Sequence, residues 1–215
     1  MSLTLYYHPL SSFCHKVLIA LYEKEVAFKP HLVDLGNTEQ RDAFRRLWPI
    51  GKFPVLVDES RGETAPESTI IIEYLEQHYP GATELLPKDQ ELALHTRLLD
   101  RWIDLYIHLS MQKIVGDRLR RADSHDLHGV AEAFATLRLG LDILEGNMQD
   151  RTWANGRGFS LADCAAAPPL FYANKIMPLV SQYPNVAAYL ERLMQRPAYA
   201  RVLVEAQPYM HLFPV

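Results

Sequence analysis

The stretch Tyr6-Tyr7-His8-Pro9-Leu10-Ser11-Ser12-Phe13-Cys14-His15-Lys16-Val17 decides how this chain is read. An apolar, β-like run from Leu3 ends at the tyrosine pair, and Pro9 breaks it. Ser11 and Ser12 then open a helical run to Lys24, with Val17, Leu18, Leu21 and Tyr22 along one side. Two hydroxyls and one thiol, that of Cys14, therefore flank a single strand-to-helix turn. They are either a reactive group or a helix cap above a packed cysteine.

Outward from this turn the pattern keeps alternating. Val26 to Asp34 is strand-like, Thr38 to Leu47 is a charged helix, and Pro54 to Asp58 (PVLVD) is a compact apolar strand. A short strand at Glu63 to Ala65 is expected to pair with it. Glu67 to Tyr79 reads as a helix with Ile71, Leu75 and His78 or Tyr79 on one stripe. The order β-α-β-α-β-β-α is a βαβ unit followed by a hairpin and a closing helix. Pro80-Gly81 stops it, and the segment to Pro87 reads as a linker.

Beyond the linker no strand pattern recurs. Leu98, Trp102, Leu105 and Leu109 fall at helical spacing within a long pattern from about Lys88 to Arg121. Further helical segments are expected near 126–149, 160–176, 185–195 and 198–206. Ser160-Leu161-Ala162-Asp163 has the serine-to-acid spacing of an N-terminal capping box. The predicted organisation is a small α/β domain over 1–80, a linker over 81–87 and an all-helical domain over 88–215.

Composition excludes several functions. A formal charge of -4 over 215 residues gives no electrostatic reason to expect a nucleic-acid partner. Two cysteines make no disulfide framework, and the start MSLTLYYHPL lacks a secretory pattern. No window approaches the roughly 18 uncharged apolar residues that cross a bilayer. A cytoplasmic protein without a membrane partner is the expectation. His15 and His108 lack companions at metal-ligand spacing, and Cys164 lies in an apolar helix, so no metal site is expected.

Four motifs occur in order: Ser11 to Cys14 after the first strand, Trp48 to Leu56 (WPIGKFPVL), Glu67-Ser68 opening the last helix of the first domain, and SLAD from Ser160. Together they resemble the cytosolic glutathione S-transferase superfamily over essentially the whole chain, and the opening resembles its serine-type classes. The resemblance implies a thioredoxin-like first domain, in which redox relatives carry cysteines at the positions of Ser11 and Cys14. It also implies glutathione as co-substrate, a small hydrophobic electrophile, detoxification chemistry and a homodimer.

Site roles follow from the same resemblance. Phe53-Pro54 would be a cis pair, at a cost of about 0.5–1 kcal/mol relative to trans. That geometry would turn the Phe53 backbone outward to the cysteinyl unit of glutathione. Ser68 at the positive end of its helix would hold the γ-glutamyl carboxylate, and Glu67 its ammonium. Lys52 would meet the glycine carboxylate. Several relatives carry a basic residue shortly before the position of Pro49, where this chain has Glu39, so Lys52 alone or Gln40 would serve that end. Lowering a thiol by two pKa units takes about 2.7 kcal/mol of preferential thiolate stabilisation. Ser11 would supply it by donating to the sulfur, with Tyr7 as the rival donor, Ser12 as a cap and secondary donor, and Cys14 as packing. Leu10, Tyr106 and Phe213 are expected to line the electrophile pocket. The alternatives are a glutathione-dependent isomerase, a disulfide reductase, or a non-catalytic relative that docks a macromolecule. Zeta-type isomerases usually read SSCSWR where this chain has SSFCHK.

Overall fold

Alternation along LTLYY puts Leu3 and Leu5 in the core, and this run forms strand β1 (Leu3–Tyr7) of the computed structural model, which describes residues 2–214. β1 pairs in parallel with β2 (Lys29–Leu32), and antiparallel with β3 (Val55–Asp58). β3 in turn pairs antiparallel with β4 (Glu63–Pro66), giving the order β2-β1-β3-β4. The parallel pair requires a crossover, which is α1 (Ser12–Glu23). α2 (Thr38–Leu47) leads from β2 to β3, and α3 (Ser68–His78) closes the unit. β2 is shorter than the strand expected over Val26 to Asp34. All four of its residues are exposed, and Pro30, which has no N–H to donate, sits on this sheet edge.

Val17 to Leu21 of α1 are buried, as are Ile71, Ile72 and Leu75 of α3, and the two helices pack together. A smaller cluster of Val33, Phe44 and Val55 is flanked by Tyr6, Leu47, Trp48 and Phe53. Asp58 ties the end of β3 to α3, accepting from Ser60, Tyr74 and Tyr79. At the end of α1, the buried Lys24 ammonium meets Glu76 at 2.9 Å. A Cβ on Gly81 would lie 2.1 Å from the Lys24 carbonyl oxygen, so only glycine lets the chain pass there.

The chain divides into two compact units: Met1–Leu85 with Ala198–Met210, and Leu86–Pro197 with His211–Val215. Within the first, Tyr22 of α1 donates to Glu205 at 2.7 Å, and the Arg201 guanidinium lies 3.9 Å from the Tyr22 ring centroid. The second unit is helical: α4 (Gln90–Trp102), α5 (Leu109–Arg118), α6 (Leu127–Asn147), α7 (Leu161–Ile176) and α8 (Pro184–Gln195); α9 (Pro197–Ala206) belongs, from Ala198 on, to the first. The long pattern expected from Lys88 is not one α-helix. A π-helical segment, Ile103–His108, separates α4 from α5; it buries Ile103, Asp104, Ile107 and His108 and leaves Leu105 and Tyr106 outside. α7 is buried along most of its length and begins at the capping box, where Asp163 accepts from both the backbone and the hydroxyl of Ser160. The fold is a thioredoxin-like α/β domain followed by a helical domain.

Candidate functional site

The turn after β1 is held from both sides. Ser11 N–H donates to the His8 carbonyl at 3.0 Å, and Leu10 N–H donates to His8 Nδ1 at 3.2 Å. From inside α1, buried His15 donates through Nε2 to the Pro9 carbonyl at 2.6 Å. These bonds deliver Ser11 to the N-cap of α1, where its Oγ accepts Cys14 N–H at 3.3 Å. Ser12, expected as the cap, is helical and buried. Ser11 keeps the extended backbone that a cap requires, so it takes the role instead. A hydroxyl has one proton and two lone pairs, so accepting Cys14 N–H leaves Ser11 able to donate.

Cys14 is fully buried, and burial pushes its thiol up to about 12, with hydrogen bonds from Ser11 and the His8 backbone pulling the other way. Tyr7 is half-buried. Its phenol is raised by burial first, then by Glu205, Tyr209 and Cys14. Leu10 sits half-buried in the turn itself.

The second piece is the loop before β3. The β1–β3 ladder ends at Tyr6 opposite Val55, so Phe53 leaves the ladder with its backbone groups available. The Phe53-Pro54 bond is cis. The Phe53 ring stacks on His8 with centroids 6.0 Å apart, which joins this loop to the Ser11 turn. Lys52 is exposed beside it. Glu39 is exposed in the first turn of α2, while Gln40 Oε1 accepts Asp34 N–H at 3.0 Å and keeps its amide hydrogens to donate.

The third piece is the start of α3. Glu67 holds φ at 70°, a left-handed conformation that is costly for a non-glycine residue and is typical of functional turns. Ser68 is buried as the first helical residue. Lys16, fully buried in α1, donates to Thr69 Oγ1 at 2.9 Å. The N-terminus of α3 is the part of this piece that favours an anion, and Lys16 fastens it to α1. Sequence reasoning missed His8, His15 and Lys16. Their only signal was polarity, in a turn and at a helix start where polar side chains are ordinarily solvated.

Of the other expected residues, Tyr106 is half-exposed on the π-helical segment, beside a groove of ≈ 250 Å³ shared with Trp102, Gly140 and Ile143. Phe213 is buried and stacks on Tyr172 at 5.1 Å. A groove of ≈ 520 Å³ between β2 and α2, lined by Tyr6, His31, Gln40 and Phe44 among others, includes none of Ser11, Phe53, Glu67 and Ser68. Converging polar groups, not volume, mark the candidate site.

Comparison with known proteins identifies the family of the chain. The glutathione S-transferase N-terminal domain family matches residues 5–83, and the C-terminal domain family matches residues 128–192. A probable maleylacetoacetate isomerase of Caenorhabditis elegans is 30% identical over 208 residues, covering 95% of this chain and 94% of that protein. FtsZ-localized protein A of Caulobacter vibrioides is 29% identical over 219 residues, covering 95% and 92%. Among solved structures, a glutathione S-transferase of Methylobacillus flagellatus with GSH bound is 26% identical with a TM-score of 0.86, covering 94% of this chain and 98% of that one. The chain belongs to the cytosolic glutathione S-transferase superfamily.

Proposed function

We propose that this protein is a glutathione-dependent enzyme in which the Ser11 hydroxyl donates a hydrogen bond to the sulfur of bound glutathione, stabilising the thiolate for attack on a small electrophile. The carrying observation is the Ser11 cap: its oxygen accepts Cys14 N–H, which fixes the hydroxyl at the positive end of α1, where its proton can turn from the Cys14 thiol to a bound sulfur. In a transfer step the sulfur–carbon bond forms as the carbon–leaving-group bond breaks, and the leaving group departs with that electron pair. Tyr7 is the weaker candidate, because burial and the nearby Glu205 carboxylate that raise its phenol also disfavour a thiolate beside it.

Glutathione would lie with its cysteinyl backbone on Phe53 beside Pro54, its γ-glutamyl carboxylate on Ser68 and the α3 N-terminus, its ammonium at Glu67 and its glycine carboxylate at Lys52. The electrophile would meet Leu10 beside the Ser11 turn. A second copy of the chain is proposed as partner. Leu94, Leu98, Leu105 and Leu109 form an exposed apolar stripe over α4, the π-helical segment and the start of α5.

Isomerisation is the second reading, favoured by the 30% identity to a protein named as an isomerase, although this chain reads SSFCHK where zeta-type enzymes read SSCSWR. Both readings require glutathione. The test is a thermal unfolding series with millimolar glutathione, followed by turnover of an activated aryl halide and of a cis-enoic keto acid. A glutathione-dependent rise in Tm is expected. Its absence overturns both readings and favours a non-catalytic docking role.

A further inference from the structure

The activation scheme leaves unused one polar side chain of the turn that carries Ser11. His8 ends the strand-to-turn step, and three observations define its place. Its Nδ1 accepts Leu10 N–H at 3.2 Å. One ring face stacks on Phe53 at 6.0 Å, with the planes only 19° apart. Tyr209 of the returning carboxy-terminal segment meets the ring edge-on at 5.6 Å. The ring is thereby fixed between two aromatic side chains with its acceptor nitrogen aimed at the turn.

We propose that His8 is a positioning residue of the glutathione-activating turn: its neutral imidazole holds the Leu10 amide, so that Ser11 presents its hydroxyl to the thiolate, and protonation of His8 releases that hold. The proposal rests on the reading of Ser11 as the thiol donor.

The chemistry of the ring dictates the behaviour. Nδ1 accepts a hydrogen bond only when it carries no proton, so the neutral ring here bears its hydrogen on Nε2. A ring with Nδ1 committed to Leu10 and Nε2 protonated has no free lone pair, and His8 is therefore no general base for the thiol. Once protonated, Nδ1–H points at Leu10 N–H, and two donors face each other. His15 does not share this response, because its bond to the Pro9 carbonyl uses a donor proton that both charge states can supply. One histidine is a fixed latch and the other a titrating one.

The groups facing the His8 ring set the direction of its titration. Burial lowers the imidazole below its usual range, and the Asp34 carboxylate following β2 opposes that shift. From α1 the Cys14 thiol, pushed up to about 12, stays uncharged. The carboxy-terminal segment offers the Tyr209 phenol, and the loop before β3 offers the uncharged Phe53 ring with Lys52 next in sequence. The ring is therefore neutral at pH 7, the latch is closed there, and it opens on acidification.

Two measurements test this. Two-dimensional NMR of the wild-type protein between pH 4.5 and 8 should show the Leu10 amide shifting with the midpoint of the His8 imidazole. The pH dependence of kcat/KM should then be compared for wild type, His8→Asn and His8→Phe, with the ionisation of bound glutathione read from thiolate absorbance. Asparagine keeps an oxygen that can accept from the amide two residues on, whereas phenylalanine keeps only the ring. Expected results are a wild-type acid limb that steepens from one proton to two below the imidazole midpoint, and a single-proton limb in His8→Asn. His8→Phe should lose about three- to tenfold in kcat/KM at neutral pH, the scale of one hydrogen bond, with a raised midpoint for the bound thiol. A Leu10 amide indifferent to His8 titration overturns the proposal, as does a His8→Phe enzyme with wild-type thiol midpoint and acid limb. If the Leu10 amide follows His8 but glutathione does not bind, the latch stands and the glutathione-dependent reading of the site falls.

Discussion

His8 and Phe53 stack ring on ring, with centroids 6.0 Å apart, and this contact fastens the turn that carries Ser11 to the loop that ends in the cis Pro54. Lys16 and Thr69 do the same for the starts of α1 and α3, at 2.9 Å. Three pieces remote in sequence are thus held by two side-chain contacts, so a substitution in one piece is felt in the others.

Ser11→Ala removes both a donor to the thiolate and the cap that accepts Cys14 N–H. A hydrogen bond to a charged group contributes about 1.5–3 kcal/mol, so turnover should fall roughly ten- to hundredfold. Loss of the cap should cost about 1 kcal/mol of stability in a urea titration. Tyr7→Phe should retain most turnover. The reverse pattern in the two variants would move activation to Tyr7.

Ser68→Ala tests the anion end. Ser68 is buried at the first position of α3, where its hydroxyl adds to the unpaired amides. The variant should raise KM for glutathione by several-fold, about 1 kcal/mol, and leave kcat nearly unchanged. Isothermal titration with glutathione checks it. A fall in kcat with constant KM would place Ser68 elsewhere in the reaction.

The regular elements were legible because periodicity is written in residues close together. Leu3 and Leu5, Ile71 and Leu75, and Leu98 and Trp102 each declare a face without distant information. The π-helical segment was not legible in the local periodicity, and neither was the close packing of its Ile107 on Gly140, where an added Cβ would lie 2.9 Å from Ile107 Cγ1. The same division holds in the candidate site. Ser11, Phe53, Pro54, Glu67 and Ser68 stood out through motif order, but the supports did not. Nothing local reveals that His15 reaches back to Pro9, or that Lys16 is buried against Thr69, 53 residues away. A lysine one turn into a helix is ordinarily solvated, and only the tertiary fold buries this one.

Asp58 predicts an acid limit to stability. Burial disfavours its charge, but hydrogen bonds from Ser60, Tyr79 and Tyr74 outweigh this and hold the carboxyl down at about 2. A depressed folded-state pKa contributes stability above the unfolded value of 3.8, and this contribution is lost as pH falls towards about 2. Tm should therefore drop across that window. Asp58→Asn should lower Tm at neutral pH and flatten the dependence between pH 4 and 2, roughly the span of the two pKa values. An unchanged acid slope in the variant would assign the limit to another carboxyl.

Cys14 bears on the disulfide-reductase alternative. The thiol is fully buried and pushed up to about 12, so little thiolate exists near neutral pH and it is shielded from reagents. Cys164 is buried as well. Native protein incubated with glutathione disulfide should keep its intact mass, and thiol reagents should label both cysteines only after denaturation. Rapid mixed-disulfide formation at Cys14 in the native protein would move the reductase reading ahead of the transferase one.

The leucine stripe tests the proposed homodimer. Leu94, Leu98, Leu105 and Leu109 are spaced by four, seven and four residues, and each is more than 40% exposed. Four large apolar side chains in one row are more than the scattered singles of an ordinary surface, and burying each would contribute about 1.5–3 kcal/mol. Leu98→Glu would place a charge in the middle of that row, where desolvation without a partner is costly. Light scattering should report twice the chain mass for wild type and a shift towards the chain mass for the variant, with helicity unchanged. Because the Ser11 turn, Phe53 and Ser68 all belong to the first unit, glutathione binding should survive in the monomer. A wild-type protein already at chain mass would remove the second copy from the proposed function without touching the thiol chemistry.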